Sequence, residues 1–463
     1  MSNYVYNHGY IRSISLTAAL GGLLFGYDWV VIAGAKPFFQ EYFGLAGSES
    51  TGSLGWAMSC ALVGCFIGSV LSGMLSDKYG RKRLLILAAF LFIITAIATG
   101  VAPDFELFIL SRIANGIAIG LASNLSPVYI AEIAPPEHRG KLVAVNQLTI
   151  VLGVLLAQLV NWLIAEPIPE GVSGADLLNT WNGRSGWRWM FIAAAAPAVL
   201  FFILVFLIPE SPRWLILKKR EAEARRVLNR IGGSNYTNDQ ISEITSNVFD
   251  KNKSLNWKML LDRRIMAVVF LGMFLAFLQQ WSGNNTIFYY AQEIFEAAGY
   301  KVGDILFNIV ITGSVMLVFT LVAIRYVDRV GRKMLLLIGC LGMAAAEILL
   351  GFSYHFAITG LPVVLLVLVA VAFYSCTLAP VVWVVIAEIF PNNIRGLAVS
   401  LATSALWISS FLLIYTFPFI QKLGISWAFW VYSGLLIIGF LVIKRKLVET
   451  KGKSLEQIES GLR

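Results

Sequence analysis

The sequence predicts an all-α membrane protein with twelve transmembrane helices in two pseudo-symmetric six-helix halves, joined by short cytoplasmic helices. Three observations carry that expectation. Hydrophobic residues make up 58% of the 463-residue chain and its mean hydropathy is +0.74, far too apolar for a soluble core. Apolar runs long enough to span a bilayer, for which about 20 residues suffice, recur along its length. Motifs of the first half then return, in the same order, in the second.

The runs fall near residues 11–35, 54–76, 83–102, 106–130, 141–164 and 187–208, then 265–291, 303–325, 334–355, 361–386, 397–421 and 426–445. The first carries Tyr27, Asp28 and Trp29 and leads directly into the bundle, so it reads as a span rather than a cleavable signal. Residues 209–262 are polar and rich in Lys, Arg and Glu, and read as amphipathic helices at the cytoplasmic surface. The expected organisation is therefore a first half over 1–208, a linker over 209–262, a second half over 263–448 and a cytoplasmic tail over 449–463.

The net charge of +9 does not indicate nucleic acid, because the basic residues gather in alternate loops. They stand at Lys78 to Arg83, at Arg139 and Lys141, through 213–264, at Arg325 to Lys333, at Arg395 and from Lys444 to Lys453. The loops between them hold few. By the positive-inside rule both termini are cytoplasmic. No glycosylation sequon lies in an expected external loop, which favours a bacterial inner membrane. Cys60, Cys65, Cys340 and Cys376 all fall within spans, where a small packing residue is a better reading than a disulfide.

The repeat supplies the two halves. Asp77-Lys78-Tyr79-Gly80-Arg81-Lys82 after helix two returns as Asp328-Arg329-Val330-Gly331-Arg332-Lys333 after helix eight. Glu132 and Arg139 after helix four return, at the same spacing, as Glu388 and Arg395 after helix ten. The segment Glu210-Ser211-Pro212-Arg213 has a partial echo in the tail at Glu449. These acids and bases can form a latch that ties neighbouring helices, and the halves to each other, when the cytoplasmic side is shut. Exposed pairs are individually weak, so several must act together. Plain topology signals with turn glycines are the alternative, and the matched spacing favours the latch.

The most informative span is the seventh, Phe277-Leu278-Gln279-Gln280-Trp281-Ser282-Gly283-Asn284-Asn285-Thr286-Ile287-Phe288-Tyr289-Tyr290. Four amides at membrane depth need partners or a wet cavity. In a continuous helix Gln280 would neighbour Asn284, and Gln279 would neighbour Asn285. Amides that both donate and accept, set among aromatic rings, suit a ligand with many hydroxyls and an apolar ring face. Interhelical glue is the bland reading of the same residues.

Taken together, the paired Asp-x-x-Gly-Arg-Lys loops, the 209–214 segment, the Glu449 tail and the Gln279-Gln280 helix resemble the sugar porter family of the major facilitator superfamily. The pattern is similar to bacterial proton-coupled xylose and hexose symporters over essentially the whole chain. The resemblance implies the major facilitator fold, alternating access and a monosaccharide substrate. It also implies sugar contacts at Gln147, Gln279, Gln280 and Asn285, with Tyr289 in the gate region, Trp383 packing on the sugar and Trp407 at an aromatic position of helix eleven. Leu406 stands where the family usually has an amide, and Val154 where its xylose-transporting members have a further glutamine, so the site is expected to be somewhat more apolar.

Asp28 in helix one and Arg112 in helix four are the other informative pair. Ions within a membrane are costly when alone, so each is expected to be paired or functional. A carboxylate whose guanidinium partner can move away is suited to carrying a proton. The resemblance points the same way, since symporters of the family have Asp at this position. A static salt bridge is the alternative.

The expected activity is thus proton–sugar symport, ahead of a facilitator of the same fold and of a non-transporting sugar receptor. An enzyme is the least supported class, with no phosphate loop, no triad and three scattered histidines. No cofactor or metal is expected. The expected partners are a monosaccharide, protons and the lipid bilayer, for a chain acting as a monomer. Lys36, Glu293 and Glu347 also lie in or near apolar segments and have no assigned role.

Overall fold

A computed structural model describes residues 4–169, 171–250, 262–300, 302–390, 394–449 and 451. The first half contains α1 (His8–Tyr42), α2 (Thr51–Tyr79), α3 (Arg81–Val101), α4 (Phe105–Ile133), α5 (Arg139–Ile164), α6 (Trp187–Ala193) and α7 (Ala195–Val205). Between the halves lie α8 (Pro212–Leu217) and α9 (Glu221–Asp250). The second half contains α10 (Arg263–Gln280), α11 (Asn284–Tyr289), α12 (Ala291–Ala297), α13 (Val302–Val330), α14 (Arg332–His355), α15 (Leu361–Cys376), α16 (Leu378–Ile389), α17 (Arg395–Gln421) and α18 (Ile425–Lys446). Among the described residues, twelve helical stretches are long and apolar enough to cross a membrane, as the sequence predicts. Each half supplies six. Three spans are built from two helices: α6 with α7, α10 with α11, and α15 with α16. An even number of crossings puts both ends of the chain on one side, called here the termini face.

Packing in the first half depends on small residues. Gly64 and Gly68 of α2 lie against Gly116 and Gly120 of α4, so closely that a Cβ on Gly64 would stand 2.0 Å from the Ile113 carbonyl oxygen and one on Gly116 1.9 Å from that of Ala61. Small residues four apart let backbones touch, the usual basis of helix association in lipid. α1 packs on α5 in the same way, through Gly26 and Gly153.

The described part of the linker is helical, as expected. Ser211 caps α8 through the Trp214 N–H, and α9 is interrupted at Gly232 and Gly233, whose backbone angles are not helical. The chain start is tied to it by the Asn7 N–H, which donates to the Ile231 carbonyl at 2.9 Å.

The halves meet along α2 with α17 and α5 with α13, and α1 additionally meets α11 and α12. The α1 contacts fall toward the side opposite the termini, where Lys36 forms an ion pair with Glu293. Nearby, Lys422 Nζ donates to the Ser48 carbonyl at 2.9 Å. The far face is closed by these contacts. The four cysteines are all free thiols, three of them buried.

Candidate functional site

The seventh span breaks where its amides are. α10 ends at Gln280, Gly283 takes φ +82°, and α11 starts at Asn284. That dihedral is left-handed, which glycine adopts without steric cost. The break overturns the amide pairings expected of a continuous helix. Asn285 Nδ2 donates to Gln280 Oε1 at 2.5 Å, while Gln279 turns away to the tenth span. That span is also broken, at Thr377, and Gln279 Nε2 donates to the Leu378 and Ala379 carbonyls at 3.1 Å each. One side chain thus satisfies carbonyls at the start of α16. Gln279 Oε1 and Asn285 Oδ1 are buried and lack a protein partner, as are both polar atoms of Asn284. Amide valences left open in a membrane interior suit a polar ligand.

The other residues expected around a sugar are placed as follows. Trp383 of α16 is 38% exposed, so its indole is not covered by protein. Trp407 of α17 is buried, packs edge-on against Phe25 at 5.8 Å, and has an unpartnered Nε1. Gln147 of α5 is partly buried. Tyr289 is buried on α11 and meets Trp29 edge-on at 6.3 Å. Val154 and Leu406 are both buried, in keeping with an apolar contribution.

Asp28 and Arg112 are paired in the interior, 4% and 1% exposed. Arg112 Nη1 donates to Asp28 Oδ1 at 2.6 Å, and Asn115 Nδ2 donates to the same oxygen at 2.5 Å. The sequence reading missed Asn115, although a polar residue three positions after an intramembrane arginine shares its helix face. The adjoining residue ties this pair to the amide helix. Trp29 stacks on Phe288 with ring centroids 5.5 Å apart, so α1 presses on α11 one residue beyond its carboxylate.

The repeated acids and bases assemble twice, on the termini face. In the first half Arg81 pairs with Glu132 at 3.0 Å and Asp77 at 3.4 Å, and Glu210 Oε1 accepts from the Arg81 and Lys82 backbone N–H groups at 3.0 and 3.2 Å. In the second Arg332 pairs with Glu388 at 3.3 Å, and Glu449 accepts from the Arg332 and Lys333 N–H groups at 2.9 and 3.1 Å. Each glutamate caps the helix that begins after a left-handed glycine, Gly80 at φ +95° or Gly331 at φ +102°. Among the described residues these pairs join helices of one half only. Arg139 and Arg213 are exposed and make no ion pair there. The side chains of Asp328 and Arg395 lie outside the described residues.

Lys36 and Glu293 had no assigned role, yet they form a buried ion pair between the halves, with Lys36 Nζ also 5.1 Å from the Tyr290 ring centroid. Charges of opposite sign, one in the first span and one just beyond the seventh, were the signal available in sequence.

Residues 14–462 match the model of a family described as sugar (and other) transporter. The chain belongs to this family. The transporter is 37% identical to the D-xylose-proton symporter of Escherichia coli (strain K12), over 99% of its length and 97% of that protein's. It is 35% identical to the arabinose-proton symporter of Bacillus subtilis (strain 168), over 98% and 95%. Among solved structures, the inward-open xylose transporter of Escherichia coli superimposes with a TM-score of 0.84 at 35% identity, covering 97% of this chain and 99% of that one. The resemblance to sugar porters and the major facilitator fold inferred from the repeated motifs are both borne out.

Proposed function

We propose that the transporter is a proton-coupled monosaccharide symporter, taking D-xylose or a hexose such as glucose and working by alternating access. It is placed in a bacterial inner membrane with both termini cytoplasmic, so the closed far face is the outer one. The observation that carries this reading is the join between the Asp28–Arg112 pair and the amide helix through Trp29 and Phe288. In the conformation described, Asp28 is matched as a carboxylate by Arg112 and Asn115. A proton taken up on Asp28 removes the charge that holds Arg112, leaving α1 and α4 free to shift. Because Trp29 rides on α11, that shift reaches the amides at Gln280 and Asn285. Sugar and proton then favour the same rocking step, each only as far as it prefers one conformation to the other.

In this reading Gln147, Gln279, Gln280 and Asn285 hold hydroxyls, Trp383 covers the sugar ring, and Tyr289 and Trp407 line the approach. The Lys36–Glu293 pair clasps the outer face and must part before sugar enters from outside. The repeated termini-face pairs hold each half rigid.

The test is uphill uptake. Vesicles given an imposed proton gradient should concentrate labelled xylose or glucose, and sugar addition should alkalinise the medium. Asp28→Asn is permanently neutral and should still exchange sugar across the membrane, with no accumulation. An Asp28→Asn protein that concentrates sugar would make the chain a transporter coupled elsewhere, and a parent protein that only equilibrates sugar would make it a facilitator.

A further inference from the structure

Behind the break in the seventh span, on the side away from the first half, stands Glu347 of α14. It is 0% exposed, and neither carboxyl oxygen has a hydrogen-bond partner. Its position is set by the break. A Cβ at Gly283 would stand 2.1 Å from Glu347 Oε1 and 3.1 Å from Tyr432 Cδ2, so the carboxyl packs directly on the left-handed glycine where α10 gives way to α11. The next residue, Asn284, is also 0% exposed, with its amide unpartnered at both ends. Beside it Thr286 Oγ1 donates to Tyr432 Oη at 3.0 Å.

Among the described residues no cation pairs with Glu347. Arg332, at the start of its own helix, is fifteen residues away, about 22 Å at 1.5 Å per residue. His355 closes the helix at the other end, and Glu388 of α16 pairs with Arg332 at the termini face. Asp304 begins α13 at the far face, and Lys444, Arg445 and Lys446 end α18. Among the described residues, the titratable group shown facing Glu347 is a phenol, Tyr432 of α18. An ionised carboxylate without partners is among the most costly groups to bury, and a neutral acid is far cheaper. A neutral acid also has what this site can use, an O–H to give to an amide oxygen and a C=O to accept from an amide nitrogen.

We propose that Glu347 is a second proton-binding site, occupied when the far face is closed, and that its neutral acid form is what lets α14 pack on the break of the seventh span. Neutral, the carboxyl buries no charge against Gly283. Loss of that proton leaves an unpartnered carboxylate at the break, and favours any conformation in which α11 moves off α14 and water reaches it. The sign is fixed by this. The closed far face binds the proton, so raising the pH shifts the balance toward an open far face. The inference does not need Asp28 to be the coupling site.

The test is therefore made in Asp28→Asn, where Asp28 cannot contribute. Infrared spectra of the protein in lipid at neutral pH should contain the C=O stretch of a protonated carboxylic acid, and the band should disappear in Asp28→Asn/Glu347→Gln. Spin labels at Glu49 and Thr359, exposed positions of the two halves on the far face, report the same site independently. In Asp28→Asn the closed-to-open ratio should fall with pH by up to tenfold per unit between the pKa of the site in the open state and its higher value in the closed state, the limit for one proton. Glu347→Gln should flatten that dependence, and so should Glu347→Met, which keeps the volume without a titratable group. A band that survives Glu347→Gln, or a pH dependence that is absent in Asp28→Asn or unchanged by Glu347→Gln, overturns the proposal.

Discussion

The two halves repeat one scaffold and fill it differently. On the termini face each has an arginine at a helix start, a glutamate across from it, and a second glutamate capping the helix behind a left-handed glycine. In the interior the likeness ends. The first half pairs its buried Asp28 with its own Arg112 and Asn115 and sends Lys36 across to Glu293. The second holds amides with unfilled valences along its broken seventh span, and beside them, on α14, the Glu347 carboxyl with neither oxygen partnered. The difference separates what repetition fixes, which is how helices start and turn, from what each half does with its centre.

Even the shared scaffold is unequal, and this gives the largest expected effect. Arg81 and Glu132 are each 8% exposed, whereas Arg332 and Glu388 are 14% and 27% exposed. Removing one member of a well-buried pair strands the other, which costs about 3–5 kcal/mol. Arg81→Ala should therefore destabilise the protein strongly, and Arg332→Ala clearly less because solvent screens its pair. Thermal unfolding in detergent measures both, and equal losses would show that the copies are equivalent.

The glycines sharpen the comparison. Alanine at Gly80 or Gly331 meets a left-handed backbone, worth roughly 1–2 kcal/mol. Its Cβ would also stand 2.3 Å from Glu210 Oε2 or 2.8 Å from Glu449 Oε2, so Gly80→Ala should be the worse of the two. A ranking opposite to this would mean that the carboxylate cap yields more easily than the turn.

A smaller effect tests the division of labour at the centre. Gln280→Ala or Asn285→Ala breaks one neutral amide pair, worth about 0.5–1.5 kcal/mol, so sugar affinity should fall by roughly two- to tenfold. Calorimetry with a panel of pentoses and hexoses reads this directly. Normal binding in both variants would reduce these amides to interhelical glue. The smallest effect is expected at Arg139 and Arg213, which are exposed and make no ion pair among the described residues. Their alanine variants should change stability by no more than about 0.5 kcal/mol and leave sugar affinity unchanged. A loss of transport without a loss of binding would show that they act in another conformation.

Much of this was legible in sequence because membranes narrow the choices. Span count follows from run length, and the repeat of Gly80-Arg81 in Gly331-Arg332 announces equivalent turns. The cost of lone charges marked Asp28 and Arg112 as partners before any coordinate was known. What escaped was set by breaks in helices. Gly283 was visible as a weak point, but the choice of Asn285 over Asn284 as partner of Gln280 depends on its left-handed turn. The break at Thr377 is announced by Pro380 in the first turn of α16, but a proline does not say which side chain will reach the carbonyls beside it. The Lys36–Glu293 pair and the seat of Glu347 depend on which helices become neighbours, and periodicity along one helix does not carry that information.

The bond from Gln279 to the tenth span has a consequence for how the protein is made. Its acceptors, Leu378 and Ala379, lie 99 and 100 residues later in the chain. At about 5–20 residues per second, the glutamine exists for roughly 5–20 seconds before the ribosome has produced what it must bind. Through that interval a broken, amide-rich span has to be sheltered by water, by the insertion machinery or by the completed first half. The bundle's order of synthesis, with the self-sufficient half first, suits that need.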